Sequence, residues 1–319
     1  MNKQLPPRDL RRKGFFSRLA GNFKREWRLH VLMLIPLIQL IVFFYYPMYG
    51  AQIAFRKYMP AKGIWGSEWV GLMQFQKFFN SFQFRQVIWN SLRLSLYSLL
   101  AGFPFPILLA LMINVCPSRR FRKTVQMVTY APYFISTIVL VAILNQFLSN
   151  TTGLYANIAR AFGATTIPNL QATTSTFDHI YVWSGVWQTA GYNAIIYIAA
   201  LTSIDPTLYE AASIDGAGRF QKIFHIDLPG ILPTAAIMLI LSSGSLLNVG
   251  FEKIYLMQNS VNNAVSEVIS TYVYKQGIGA GFPDYSYSTA VGLFNSVISF
   301  VLIVITNTAS KRLSGSSMW

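Results

Sequence analysis

Residues able to do chemistry are few in this 319-residue sequence, and they are scattered. The three histidines, His30, His179 and His225, lie far apart with no Glu-His pairing of metal-ligand type nearby, so no metal site is expected and no catalytic residues are assigned. Cys116 is the single cysteine, which excludes an internal disulfide. No Gly-x-x-x-x-Gly-Lys-Ser/Thr run occurs, so the chain has no phosphate cradle for ATP; Gly277, Gly279 and Gly281 follow no expected strand and fit the shaping of an external loop. What remains is chemistry for lining a path. Trp183 and Trp187 stand one helical turn apart, as do Gln188 and Tyr192 with Asn193 adjacent; Ser245 and Asn248 share a helix face, and so do Asn295 and Ser299. Aromatic faces beside amide and hydroxyl donors suit a saccharide, and the same residue types also serve as interhelical hydrogen bonds and interface anchors.

The densest pattern lies between Ser203 and Pro229. Asp205 has the character of an N-cap with Pro206 at the first helical position, and Thr207 with Glu210 has the spacing of a capping box. The helix should run through Ala211 and Ala212 to Asp215, where Gly216 and Gly218 let the chain turn before a second segment from Arg219 towards Pro229. Such an element is too polar to cross a membrane and too well capped to be slack linker. Small Ala211, Ala212 and Ala217 permit close approach, and Glu210, Asp215 and Arg219 offer charged handles, as suits a helix docking in another protein's groove.

These residues need elements to position them, and the composition says which. The chain is 53% hydrophobic and 12% charged, whereas an ordinary soluble domain carries roughly 25% charged residues. About 20 apolar residues of helix cross a hydrocarbon core. Six runs qualify: Val31 to Phe55, Leu94 to Val115, Val125 to Leu148, Ile180 to Leu201, Ile231 to Gly250 and Thr289 to Thr308. The first follows nine basic residues with no small-residue cleavage site, so it reads as a retained anchor and not a signal peptide. Pro36, Pro47, Gly102, Pro104, Pro106, Pro132, Gly185 and Gly191 fall in or beside spans, where freed backbone groups must find partners on neighbouring helices or water.

The net charge of +15 is best read loop by loop. Seventeen Lys and Arg lie in the two ends and the even-numbered connections, against eight in the odd-numbered ones, with Arg93 at a span edge. The excess assigns both termini to the cytoplasm and makes the basic tail a lipid-facing, topogenic segment, not a nucleic-acid arm. The expected organisation is a basic cytoplasmic tail at 1–30, a transmembrane domain at 31–310 containing the loop 203–229, and a cytoplasmic tail at 311–319.

Glu210-Ala-Ala-Ser-Ile-Asp-Gly-Ala, followed by Phe220, Ile223 and the Leu228-Pro229 pair, resembles the EAA coupling motif of binding-protein-dependent ABC importer permeases. The Tyr-Pro stretch at Pro47, Trp69-Val-Gly-Leu-Met-Gln-Phe75, Asn90-Ser-Leu, Ala131-Pro-Tyr and Ser317-Met-Trp319 are similar to carbohydrate-importer permeases, especially the LplB-like branch handling oligosaccharides. The resemblance implies an all-α, six-helix transmembrane fold of the type I importer class, with a cytoplasmic coupling helix, in a bacterial inner membrane. It also implies the partners: a second permease subunit, two cytoplasmic ATPase subunits that bind ATP and Mg, an external solute-binding protein and an oligosaccharide substrate. No cofactor is expected in this chain. A secondary transporter is the alternative, opposed by the lack of an acid deep within any assigned span. A membrane-embedded transferase is a more distant one, since no polar catalytic cluster is evident. The connection from Arg56 to Trp89 carries five basic residues against Glu68 alone. That excess is consistent with solvated residues or a binding-protein contact, and also with an entrance favouring acidic, alginate- or pectin-like oligosaccharides.

Overall fold

A computed structural model of the protein describes residues 26–171, 174–244, 246–247, 249–279 and 281–314. Nearly all of the expected N-terminal tail, Ser317-Met-Trp319, and the path candidates Ser245 and Asn248 lie outside the described residues. The chain divides between Gln52 and Ile53.

The N-terminal unit is a helix, α1 (Trp27–Leu40), that continues through a π turn at Ile41–Tyr45 into Tyr46–Met48. From Val31 onward its sequence is almost wholly apolar, with Gln39 the exception before the tyrosines at its end and Pro36 inside the helix, and it buries none of its own side chains. A helix apolar on every side is stable only where lipid or protein covers it.

The second unit starts with a hairpin, β1 (Arg56–Met59) and β2 (Gly63–Trp69), which amends the all-α expectation in one small place. Gly63 at φ +66 makes the turn, and the Ser67 hydroxyl ties it by donating to the Gly63 carbonyl at 2.6 Å. The Arg56 guanidinium lies over both Trp65 and Trp69, 5.3 and 5.4 Å from their ring centres. The helices then follow as α2 (Met73–Phe79), α3 (Phe82–Gly102), α4 (Pro104–Val115), α5 (Arg119–Tyr130), α6 (Thr137–Phe147), α7 (Leu154–Ala161) and α8 (Thr174–Thr202). After these come α9 (Pro206–Ile214), α10 (Arg219–Lys222), α11 (Leu228–Gly244), α12 (Phe251–Met257), α13 (Asn263–Ser266), α14 (Ile269–Gly277) and α15 (Tyr285–Ser314).

Among the described residues four stretches are long and apolar enough to cross a membrane: Trp27–Phe55, Phe82–Val115, Arg219–Gly244 and Tyr285–Arg312. Helices α5 and α6 are apolar enough together to count as a fifth if they form one span, and they are bent by 99° at the break, so the expected span from Val125 to Leu148 is two helices. The cause is local: Pro132 cannot donate to a helical carbonyl, and Ser136 restarts the helix by accepting from the Val139 N–H. Helix α8, at 29 residues about 43 Å long, has the length to cross a membrane but not the apolarity of those stretches, diluted as it is by Trp, Gln, Tyr and Asn. Two further boundaries differ from expectation. Helix α3 begins twelve residues before Leu94, which puts Arg93 inside a helix; α11 stops at Gly244, short of Gly250, and α12 begins at Phe251.

Helix α8 is the hub, packed against α3, α4, α5 and α11. Its crossing of α5 is very close, since a Cβ on Gly191 would fall 2.0 Å from the Thr129 carbonyl oxygen. Gly230 against Ile204 and Gly244 against Ile303 make similar close approaches. Small residues at such crossings let backbones pack where lipid offers no hydrophobic drive. One apolar core joins α3 to α8 and α12 through Leu94, Phe177, Val182 and Ile254; another joins α4, α8 and α11 through Ala110, Ala194, Tyr197 and Ile231.

Gly191→Ala should therefore lower the melting temperature of the detergent-solubilised protein by several degrees and reduce its yield, because no shift of a side chain can relieve a backbone clash. Gly292→Ala, at a helical glycine with no atom within 4 Å of the added methyl, should leave both unchanged or slightly improved.

Candidate functional site

The coupling segment is built from its ends inward. Asp205 caps α9 by accepting from the Thr207 N–H at 2.9 Å, with Pro206 at the first helical position as expected. That N–H holds the Asp205 carboxyl below its ordinary value, so the cap is fully formed above the usual carboxylate range and weakens as pH falls through the lowered value. The expected Thr207–Glu210 capping box is absent, since Asp205 already occupies the cap and Thr207 sits inside the first turn. At the other end Gly216 adopts φ +73, the Gly216 N–H bonds the Ser213 carbonyl and the Ala217 N–H bonds the Ala212 carbonyl at 2.8 Å. This is a Schellman stop, and a left-handed residue is what it requires. Gln221 reaches back to the Gly218 N–H at 2.7 Å and starts α10.

The second segment does not end at Pro229. It runs without interruption through a π turn at Ile223–Asp227 into α11, making one helical body from Arg219 to Gly244. Proline sits in the first turn of α11, where the intrahelical ladder already detours through the π turn. Sequence reasoning missed the pin that joins α9 to this body. Asp227 is 1% exposed; the Tyr209 hydroxyl donates to its Oδ1 at 2.5 Å, and the Asn114 amide of α4 lies 3.4 Å from the same oxygen. Burial, and then the bond to Asp227, push the Tyr209 phenol up to about 12, so it remains a donor at physiological pH. Lys222 adds a second tie, donating to the Ser213 hydroxyl at 2.6 Å.

The outward side of this element is unsatisfied. Glu210, Ala211, Asp215, Gly216 and Arg219 are exposed, Ala212 and Ala217 half-buried, and none of the three charges forms an ion pair among the described residues. Large apolar side chains accompany them: Leu208, Ile214 at 87% exposure and Phe220 at 77%. An apolar patch rimmed with charge is the surface of a docking element.

The path candidates separate onto two faces of α8. Tyr181, Gly185, Thr189, Asn193 and Tyr197, spaced by four, line a chamber between α3, α8 and α11. One lobe of about 290 Å³ holds Ser95, Ser98, Asn193, Met238 and Ser242; the other, about 420 Å³, holds Thr137, Gln188, Glu252 and Lys253. Ser98, Gly102, Tyr181, Thr189 and Gly250 line both lobes, which therefore adjoin. Gln188 and Asn193 thus lie where a path would need them, and Gln188 is held by its bond to the Ile135 carbonyl at 2.8 Å. Trp183 and Trp187 point to the opposite side, into an apolar recess with Phe105, Leu109 and Pro132. Trp183 donates to the Tyr97 hydroxyl, and Tyr192 stacks on Tyr133 at 3.7 Å. Asn295 is buried on α15, away from the chamber lining. The four-residue row was present in the sequence and outweighs the Trp pair as a signal.

A second structural cluster holds the opposite end of α8. Arg93 contacts Asp178 at 2.8 Å and donates to the Val265 carbonyl, which neutralises both charges and explains an arginine in α3. The acid lies two residues before the span assigned from sequence. Among the described residues no three His, Cys, Asp or Glu groups converge as metal ligands.

A family model described as "Binding-protein-dependent transport system inner membrane component" matches residues 102–315, taking in α8, the coupling segment and α11. The chain belongs to that family. The permease is 39% identical over 296 residues to Protein LplB of Bacillus subtilis (strain 168), spanning 93% of this chain and 92% of that one. It is 39% identical over 303 residues to the polygalacturonan/rhamnogalacturonan transport system permease protein YteP of the same organism, spanning 95% and 94%. Among solved structures it superposes at TM-score 0.84 and 41% identity on a chain of a bacterial ABC transporter involved in the import of the acidic polysaccharide alginate, covering 93% of this chain and 99% of that one. A bacterial alginate ABC transporter in complex with an alginate pentasaccharide-bound periplasmic protein gives TM-score 0.86 at 39% identity, covering 94% and 100%. The permease has the type I importer fold, and it is a transport component and not an enzyme.

Tyr209→Phe removes the hydroxyl from Asp227 and leaves a buried carboxylate with one long contact, a loss of about 1–3 kcal/mol at the joint between α9 and α11. The expected outcome is a permease that still assembles with its ATPase but shows several-fold weaker substrate stimulation of ATP hydrolysis. Stimulation equal to the parent would remove the pin from the coupling pathway.

Proposed function

We propose that this chain is one of two permease subunits of an ATP-driven importer that carries oligosaccharides into the cytoplasm, and that acidic oligosaccharides are its substrates. The observation that carries the reading is the coupling segment. A helix presenting Glu210, Ala211, Ala212, Asp215, Gly216, Ala217 and Arg219 with bare apolar neighbours is pinned through Asp227 to the helical stretch that forms a chamber wall.

In this mechanism the ATPase subunits, which hold ATP and Mg, close on each other and move the docked α9. The Asp227 pin passes that displacement to α10 and α11, and Met238 and Ser242 shift the chamber wall. The solute-binding protein delivers the sugar from outside, and the companion permease completes the path. Both termini and the coupling segment face the cytoplasm in this arrangement, following the distribution of Lys and Arg.

Support for an acidic substrate comes from the pectin- and alginate-transporting relatives, and less from the basic connection that first pointed that way. Of its five cations Arg56 is held by the Ser67 carbonyl and two Trp rings, and Lys77 pairs with Asp284 at 2.7 Å. Lys57, Lys62 and Arg85 are left to act on an approaching anion, with Glu68 directly opposite Lys57 on the hairpin.

Gly216→Pro cannot adopt the positive φ of the stop, and Glu210→Lys reverses a charge on the docking face. Each should abolish uptake of uronate oligosaccharide in proteoliposomes containing the full complex while the permease still inserts; parent-level uptake in both would sink the coupling assignment. Reporters fused after Arg120 and Lys222 should read cytoplasmic and one after Asn169 external. A reversed result at Lys222 would place the segment out of reach of any ATPase.

A further inference from the structure

Lys253, one of the eight Lys and Arg in the odd-numbered connections, is buried. It lies in the first turn of the short helix α12, is 8% exposed, and lines the larger lobe of the chamber with Ser98, Thr137, Gln188 and Thr189. Its ammonium donates to the Tyr181 carbonyl at 2.8 Å and lies 4.9 Å from the centre of the Tyr181 ring. Gly185 leaves room for it, since a Cβ there would come within 3.3 Å of Nζ.

The ion pairs among the described residues engage Lys77, Arg93 and Lys275, and none engages Lys253. Glu252, the one acid of that lining, is exposed and beyond ion-pair distance. An ammonium has three donors, and here one carbonyl and one aromatic face meet them. A buried charge so thinly compensated is costly, and in membrane proteins such residues mark ligand pathways. The Ser98 hydroxyl, at the junction of the two lobes, is likewise buried without a hydrogen-bond partner. A lobe of about 420 Å³ falls within the range of small-ligand sites.

We propose that Lys253 is the specificity-determining residue of the chamber, its ammonium binding a sugar carboxylate as each acidic unit passes while the hydroxyls of Ser98 and Thr189 take the neighbouring sugar hydroxyls. A neutral sugar leaves the ammonium with the partners it already has and gains nothing from it. The proposal rests on the importer reading above, and the experiment separates the two. The full complex with its ATPase and binding protein is reconstituted in proteoliposomes, and uptake of a uronate oligosaccharide is compared with that of its carboxyl-reduced, neutral counterpart of equal length.

Lys253→Met keeps the apolar stem and should lower the uronate-to-neutral uptake ratio about tenfold or more, in line with the loss of a desolvated charge pair. Lys253→Arg should keep most of the ratio. Glu252→Gln, at an exposed position, removes the opposing charge and should raise the ratio, and it serves if the methionine variant fails to assemble. A ratio unchanged in both the methionine and the glutamine variants, or equal loss of both sugars in the methionine variant, overturns the proposal. Carriage of neither sugar by the parent complex would instead overturn the importer reading.

Discussion

Helix α8 must pass α5 so closely that a single methyl at Gly191 would strike the Thr129 carbonyl, and the rest of the main unit is arranged around that crossing. Because α8 is fixed there, its two long faces acquire different surroundings. One carries Tyr181, Gly185, Thr189, Asn193 and Tyr197 into a polar chamber; the other turns Trp183 and Trp187 into an apolar recess. Rotation of the helix by about half a turn would exchange them. The Arg93–Asp178 contact at one end and the Tyr197–Leu201–Ile231 packing at the other hold the rotation in place.

Much of this was legible in the sequence because lipid leaves few choices. Backbone groups without water must pair within helices, so apolar runs announced the spans, and Asp205, Pro206 and Gly216 announced the ends of the coupling helix. What was hidden followed from distance along the chain. Asp227 and Tyr209 are 18 residues apart, and Arg93 and Asp178 are 85 apart; nothing in local spacing says that either pair meets. The same limit holds for the faces of α8. A Trp pair one turn apart is conspicuous, yet face assignment depends on which neighbour comes close, and that was decided by a glycine. The bend between α5 and α6 was signalled by Pro132 but not its size, because the Ser136 cap that completes it belongs equally to an ordinary helix start.

The coupling segment combines an order of local rigidity with an open surface. Its caps and Schellman stop bond the backbone at the helix ends and Asp227 ties Tyr209, while Ile214 and Phe220 stay bare. An element prepared in this way loses little conformational entropy on docking, so contact free energy is available to move it and not to order it.

The uninterrupted helix from Arg219 to Gly244 has a mechanical consequence. At 1.5 Å per residue its 26 residues make a lever about 39 Å long, so a tilt of about 5° about one end displaces the other by about 3 Å, roughly the width of a water molecule. The π turn beside Asp227 and the proline at 233 are the points along it where such a beam can flex. Stroke length at the chamber is then set less by how far the ATPases travel than by where along the beam it bends.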